Sequence, residues 1–254
     1  ADHYRDNVEA TRQLLIAAVA SGTRRLVFAS SVAAMGAGSP HCLDELATPA
    51  PVAAYGRTKL LAEGLVLAER GAGALEGVVV RFPLVYGRGQ KGNLDRLLRA
   101  IVHGRFPPPP RRANRRSVVH VEDAVEALAI AARHETAAAG RIYLACENEP
   151  SSTRAIFDHA REVLGRRAVG WGLPATAWRA LGRMGDGAAV LLGRRVGFDS
   201  TAVERLLGDA WYSSARIQRE LGWRPRRRLN EELPRLVAEL AGESISHQEG
   251  GGHV

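Results

Sequence analysis

The chain has 254 residues, 46% of them hydrophobic and 24% charged, with a formal net charge of +8. That balance excludes a disordered tail, a collagen-like fibre and a disulfide-stapled miniprotein, and a chain this long buries a sizeable core. No run of about 18 apolar residues is present to span a membrane, and the opening Ala1–Ala10 has neither the basic nor the apolar region of a signal peptide.

Taken in order, Asn7 to Ser21 has apolar residues at helical spacing and stops at Gly22. Arg25 to Ser30 is a short apolar run of the kind found in a buried parallel strand. A loop with Gly36, Gly38 and Pro40 leads to a second helix over Ala53 to Arg70, closed by Gly71 and Gly73. Val78 to Phe82 is the next strand. Helix–strand–helix–strand order predicts right-handed parallel α/β units. Further on, the pattern predicts helices over Asn93–His103 and Asp123–Arg133, strands over Ser117–Val121 and Arg141–Cys146, and a stiff linker at Pro107–Pro110. Ser151 to Leu240 is mostly helical with Gly and Pro breaks, which predicts a second, smaller lobe. The polar, Gly-rich end from Gly242 is expected to fray.

The charge alone would suit nucleic acid. However, every basic residue except Lys59 and Lys91 is arginine, and the arginines are scattered. A compositional bias, or an anionic small substrate gripped by planar guanidinium forks, explains this better, and no nucleic-acid or membrane partner is expected. Cys42 and Cys146 stand far apart, with no cluster of ligands for a metal. Two free thiols in a reducing cytoplasm is the plainest reading.

Chemistry concentrates at Tyr55-Gly-Arg-Thr-Lys59. Residues four apart share one helix face. An ammonium beside a phenol favours the phenolate, so Lys59 is expected to lower the Tyr55 pKa and make it a general acid/base. Ser30 and Ser31 close a strand at its carboxyl end, where parallel sheets bind ligands. Three other features invite functional readings. Gly87 to Gly92 fits G-x-G-x-x-G but lacks the acidic residue of a dinucleotide site about 20 positions on, so a phosphate-contacting loop near Lys91 is the better expectation. His120 and Asp123 sit at a strand-to-helix junction, where Asp123 is expected to cap the helix and His120 to pack. Leu181 to Leu192 could lie on a membrane surface, but Gly182, Gly185 and Gly187 favour a buried helix.

The ordered series Asn7-Val-Glu-Ala-Thr11, LVFASSVAAMG, YGRTK starting 24 residues after Ser31, VVVRFPLVYGRG, RRSVVHVEDAVEAL and RELGWRP is more specific than any single motif. It resembles the extended short-chain dehydrogenase/reductase family, in its branch of sugar-nucleotide epimerases, dehydratases and 4-keto reductases. The resemblance implies an α/β fold, a Rossmann-like parallel sheet with a mostly helical substrate lobe. It implies that residues 1–88 and 118–147 belong to the dinucleotide-binding domain, 89–117 and 148–240 to the substrate lobe, and 241–254 to a flexible tail. It makes Ser31, Tyr55 and Lys59 the catalytic set. Asn7, Ser30, Tyr55, Lys59 and Pro83 would meet NAD or NADP. Ser31, Asn93 and Arg116 would bind a nucleotide sugar, with Arg115 a weaker candidate. It further implies a cytoplasmic homodimer formed through a helix bundle that includes the Tyr55 helix. The pattern departs from the family in two places. Met35 replaces the tyrosine that relatives often carry before the glycine, and nothing before Asn7 can be the family's opening strand, Gly-rich turn and helix. The expected function is therefore a UDP-hexose 4-epimerase-like enzyme, the alternatives being a 4-keto reductase or a truncated, non-catalytic remnant.

Overall fold

The computed structural model describes residues 2–68, 75–89, 92–134, 139–192 and 198–249. The chain falls into two compact units: residues 1–85, 117–149 and 211–228 form the first, and residues 86–116, 150–210 and 229–254 the second.

The first unit begins with a π-helical turn, Arg5–Glu9, that runs into α1 (Ala10–Ala20). It continues with β1 (Arg25–Ser31), a 3-10 turn (Val32–Ala34) and α2 (Ala54–Ala68). Gly71 and Gly73, read as the stop of α2, lie outside the described residues. Then come β2 (Glu76–Phe82) and β3 (Leu84–Tyr86), which ends at the start of the second unit. The same unit later adds β4 (Val118–His120), α4 (Val121–Arg133) and β5 (Ile142–Leu144). Among the described residues the main sheet is parallel and ordered β1–β2–β5, with Ser30 opposite Arg81 and Val79 opposite Ile142.

Alternation along β2 builds the two faces of this sheet. Val78, Val80 and Phe82 pack with Val119, Ala127, Tyr143, Ile217 and Trp223. Val79 points the other way, into a cluster with Leu15 and Ala18 of α1 and Val66 of α2. Arg81 continues the Val79 face, toward α2. β1 was expected to be a buried strand, but Leu26, Val27 and Phe28 are only half-buried and Ala29 is exposed. Only one of its edges is paired among the described residues, which leaves it less covered than β2.

The second unit contains α3 (Asn93–Val102), α5 (Thr153–Val163), α6 (Ala175–Leu192), α7 (Ser200–Leu207) and α9 (Leu229–Glu249). Three expectations are corrected here. First, residues 211–228, including α8 (Ala215–Leu221), belong with the first unit and not with a 148–240 lobe. Ile217, Leu221 and Trp223 complete the sheet's hydrophobic face, and the Trp223 indole donates to the Asp123 carbonyl at 3.0 Å. Second, residues 242–249 continue α9 and do not fray; residues 250–254 lie outside the described set. Third, α6 is not a buried helix throughout. Trp178 and Gly182 are buried, but Met184, Val190, Leu191 and Leu192 are exposed.

Candidate active site

The site is built where β1 ends. Ser31 leaves the strand in extended conformation, and its hydroxyl accepts the Ala33 N–H at 3.2 Å, starting the 3-10 turn. Helix α2 lies directly against that turn, and Gly56 makes this possible. A Cβ at Gly56 would collide with the Ala33 carbonyl oxygen. The glycine after Tyr55 is thus a packing requirement, and it brings Tyr55 close enough to Ser31 for the serine to act on the phenol. Gly36 closes the turn with φ of 122° beside Ala50, a conformation that L side chains rarely adopt. The buried Met35 takes the position before it.

Lys59 lies one helical turn beyond Tyr55. Its Nζ donates to the Ala29 carbonyl at 3.2 Å and sits 4.6 Å from the centre of the Phe28 ring and 6.0 Å from that of Tyr55. Ser31, Tyr55 and Lys59 therefore converge at the carboxyl end of β1. The electrostatics differ from expectation. Burial pushes the Tyr55 phenol upward, and its hydrogen bond with Ser31 only opposes this. Burial pushes the Lys59 ammonium downward, and the charge of Glu63 opposes it. The expected lowering of Tyr55 by Lys59 is thus corrected: desolvation is the larger effect on both groups, because the ammonium faces β1 and not the phenol oxygen.

Asn7 lies within the π-helical turn, a geometry frequent at functional sites. Its side-chain amide donates to Thr58 Oγ1 at 3.0 Å, and its backbone carbonyl accepts from Thr11 Oγ1 at 2.6 Å. That anchors the N-terminal turn to the middle of α2. His3, which the sequence did not single out, packs edge-on against Tyr55 with ring centroids 5.6 Å apart. Pro83 is buried between β2 and β3. The Ser30 hydroxyl is committed elsewhere: it donates to Glu63 Oε1 at 2.5 Å inside the protein. Its assignment to the cofactor is corrected for the side chain, because alternation turns Ser30 toward α2 and away from the strand end.

In the second unit, Asn93 is exposed as the first residue of α3. Arg116 bridges Ser151 through paired backbone hydrogen bonds of 2.9 Å, and its guanidinium donates to the Arg205 carbonyl. Arg115 is exposed and donates its backbone N–H to Asp209 Oδ1 at 2.7 Å. Lys91 lies outside the described residues. At the junction opening α4, His120 and not Asp123 is the cap: its Nδ1 accepts the Glu122 N–H at 3.2 Å. Asp123 is fully buried and accepts the Arg226 and Arg227 N–H groups and the Arg227 guanidinium at 3.0–3.2 Å. Both cysteines are free. No helix among the described residues is long and apolar enough to cross a membrane, and no metal-ligand cluster occurs among them.

A hydroxyl, a phenol and an ammonium are thus gathered at the end of a parallel strand. The chain belongs to the NAD dependent epimerase/dehydratase family, whose pattern matches residues 1–146. It is 34% identical over 161 residues to an uncharacterized protein, y4nL, of Sinorhizobium fredii, covering 62% of this chain and 45% of that protein. It is 28% identical over 235 residues to a UDP-glucose 4-epimerase of Vibrio cholerae, covering 90% of this chain and 67% of that enzyme. The structure resembles that of MoeE5 in complex with UDP-glucuronic acid and NAD, with a TM-score of 0.68 and 27% identity over 94% of this chain and 71% of that one. The chain thus spans between under half and about seven tenths of the proteins it is similar to.

Proposed function

We propose that the protein is an NAD(P)-dependent nucleotide-sugar 4-epimerase. The observation that carries this is the gathering of Ser31, Tyr55 and Lys59 at the end of β1, with Gly56 seating the Tyr55 turn of α2 on the turn that follows Ser31 and Lys59 Nζ donating to the Ala29 carbonyl. Similarity to a UDP-glucose 4-epimerase and to MoeE5 supports the substrate class.

The residues present fit the nicotinamide–ribose end of the cofactor. An ammonium carries three donors, and the Ala29 carbonyl takes one from Lys59, so a ribose diol matches what remains. Tyr55 stands beside it. When bound, the cofactor would supply hydride exchange at sugar C4, the 4-keto sugar turning over between the two halves so that the hydride returns to its other face. Tyr55 Oη accepts the C4 hydroxyl proton in the first half of the reaction and gives it back to the oxygen in the second. Its raised pKa suits the giving half. The taking half needs a positive charge that favours the phenolate, and Lys59, one helical turn from Tyr55, is the residue that would supply it. Ser31 holds the C4 oxygen in line. The same groups serve a 4-keto reductase, where only the giving half operates. In the second unit, exposed Asn93 and half-buried Arg116 are the proposed diphosphate ligands.

We also propose a cytoplasmic homodimer formed through α1 and α2, whose apolar Leu14, Ile16 and Leu61 are exposed. The functional test is incubation with NAD and UDP-glucose or UDP-glucuronic acid, with the sugar followed by NMR. Conversion to the C4 epimer supports an epimerase. Failure with these sugars, alongside reduction of a 4-keto sugar nucleotide by NADPH, would replace it with the reductase.

A further inference from the structure

Beneath the site lies a buried ionic cluster that the reaction itself does not use. Glu63, on the turn of α2 after Lys59, and Arg81 of β2 are each only 1% exposed. Arg81 Nε donates to Glu63 Oε1 at 2.9 Å and Nη2 to Oε2 at 2.6 Å. Ser30 Oγ donates to the same Oε1 at 2.5 Å. Three elements, β1, α2 and β2, are thereby tied at one carboxylate. Ser30 follows Ala29, whose carbonyl receives Lys59. An ion pair this buried is a poor source of stability, since desolvation offsets most of its attraction. Its placement under the site asks for another role.

We propose that the Ser30–Glu63–Arg81 cluster is a positioning device: it fixes the end of β1 against α2 and so sets where Lys59, which donates to the Ala29 carbonyl next to Ser30, stands relative to Tyr55 and to the Glu63 charge. Glu63 and Lys59 stand four residues apart on α2 and so share a face. The titratable groups about Lys59 among the described residues are Tyr55 and Glu63 on α2 and Arg81 on β2, with His3 beside Tyr55. Of these, Glu63 is the group whose charge supports the ammonium against burial. Arg81 holds that carboxylate in place through two hydrogen bonds. Ser30 and Glu63 are positioning residues that act through Lys59, and this rests on the function proposed above.

The chain's two lysines make the test direct. With lysine 13Cε labelling, NMR gives two titrating signals, and Lys91→Arg assigns them. In Glu63→Gln/Arg81→Gln, a paired change that leaves no lone buried charge, Lys59 is expected to lose its proton about half a pH unit lower than in the wild type, because Glu63 on its own helix face acts on it more strongly than the Arg81 charge removed with it. The alkaline limb of kcat against pH is expected to move by the same amount. An unmoved Lys59 titration in the folded double variant overturns the proposal. Should the double variant not fold, Ser30→Ala decides: kcat is expected to fall several-fold with KM unchanged, and wild-type kcat overturns the proposal. Because the NMR titration needs no turnover, it separates the two readings. Absence of any Tyr55-dependent reaction would sink the proposed function and leave the Lys59 titration to be judged alone.

Discussion

Ser31 accepts the Ala33 N–H and lies close enough to Tyr55 to oppose the rise of its pKa. Replacing it with alanine removes the partner that opposes the rise of the Tyr55 pKa. Ser31→Ala is therefore expected to lower kcat by about 10²-fold, with the far-ultraviolet circular dichroism unchanged, and steady-state kinetics checks it. A serine pair at a strand end and Tyr55 with Lys59 on one helix face were legible from periodicity, whereas joining Ser31 to them as one set came only with the family resemblance. The sequence misled on Ser30. Two adjacent serines at a strand end look equivalent until a partner across the sheet face is known, and Glu63 and Arg81 are 33 and 51 positions further along the chain. The same limit applied at Asp123, whose partners lie about a hundred residues away. The direction of the Tyr55 pKa was also out of reach, since spacing gives proximity to Lys59 but says nothing of desolvation.

At the scale of elements, the geometry depends on how closely α2 approaches its neighbours. Gly56→Ala would drive a methyl into the Ala33 carbonyl, and overpacking of this kind costs about 1–3 kcal/mol. The variant is expected to melt several degrees lower and to lose turnover beyond what its stability explains, as thermal unfolding and kinetics together would show. At the opposite end of the sheet, Arg25 of β1 donates to Glu76 of β2 through Nε at 2.9 Å and Nη2 at 2.6 Å. These bonds hold the Glu76 carboxyl below its ordinary range. A carboxylate with a lowered folded-state pKa contributes stability that is fully present above its unfolded value of about 4.3. That contribution is lost as pH falls through the folded value. Glu76→Gln is therefore expected to lower Tm at pH 7, with the gap to wild type narrowing below about pH 4. A gap that stays constant on acidification would contradict the assignment. Element types were largely legible, since apolar periods of two and of about three and a half recur where the strands and helices form. Edge exposure of β1 was not, because an apolar run reads the same whether one or two neighbours pair with it.

At the scale of the whole molecule, residues 211–228 return to the first unit. Asp123 is the anchor, fully buried and accepting three bonds from Arg226 and Arg227, while Trp223 donates to its carbonyl. Asp123→Ala takes the acceptor away from the Arg226 and Arg227 N–H groups, while the half-exposed Arg227 guanidinium keeps Glu122, and losing a buried acceptor of this kind costs about 1–3 kcal/mol. Chemical denaturation is expected to show that loss, and hydrogen exchange to show α8 opening with it. The division of the chain was only partly legible, because composition changes where Gly and Pro accumulate, whereas this return depends on one buried carboxylate. The exposed end of α6 escaped prediction for a related reason. Gly182 and Gly185 do allow close approach to residues 198–200, but that packing covers one face of the helix and leaves Met184, Val190 and Leu191 outside it.

Tyr55→Phe removes one oxygen and leaves the packing of α2 intact, so it isolates the proton-transfer role on which the whole account depends. With NAD and a UDP-hexose, the variant is expected to bind cofactor as the wild type does and to interconvert the C4 epimers about 10²- to 10⁴-fold more slowly. Wild-type turnover by a folded Tyr55→Phe protein would contradict the account.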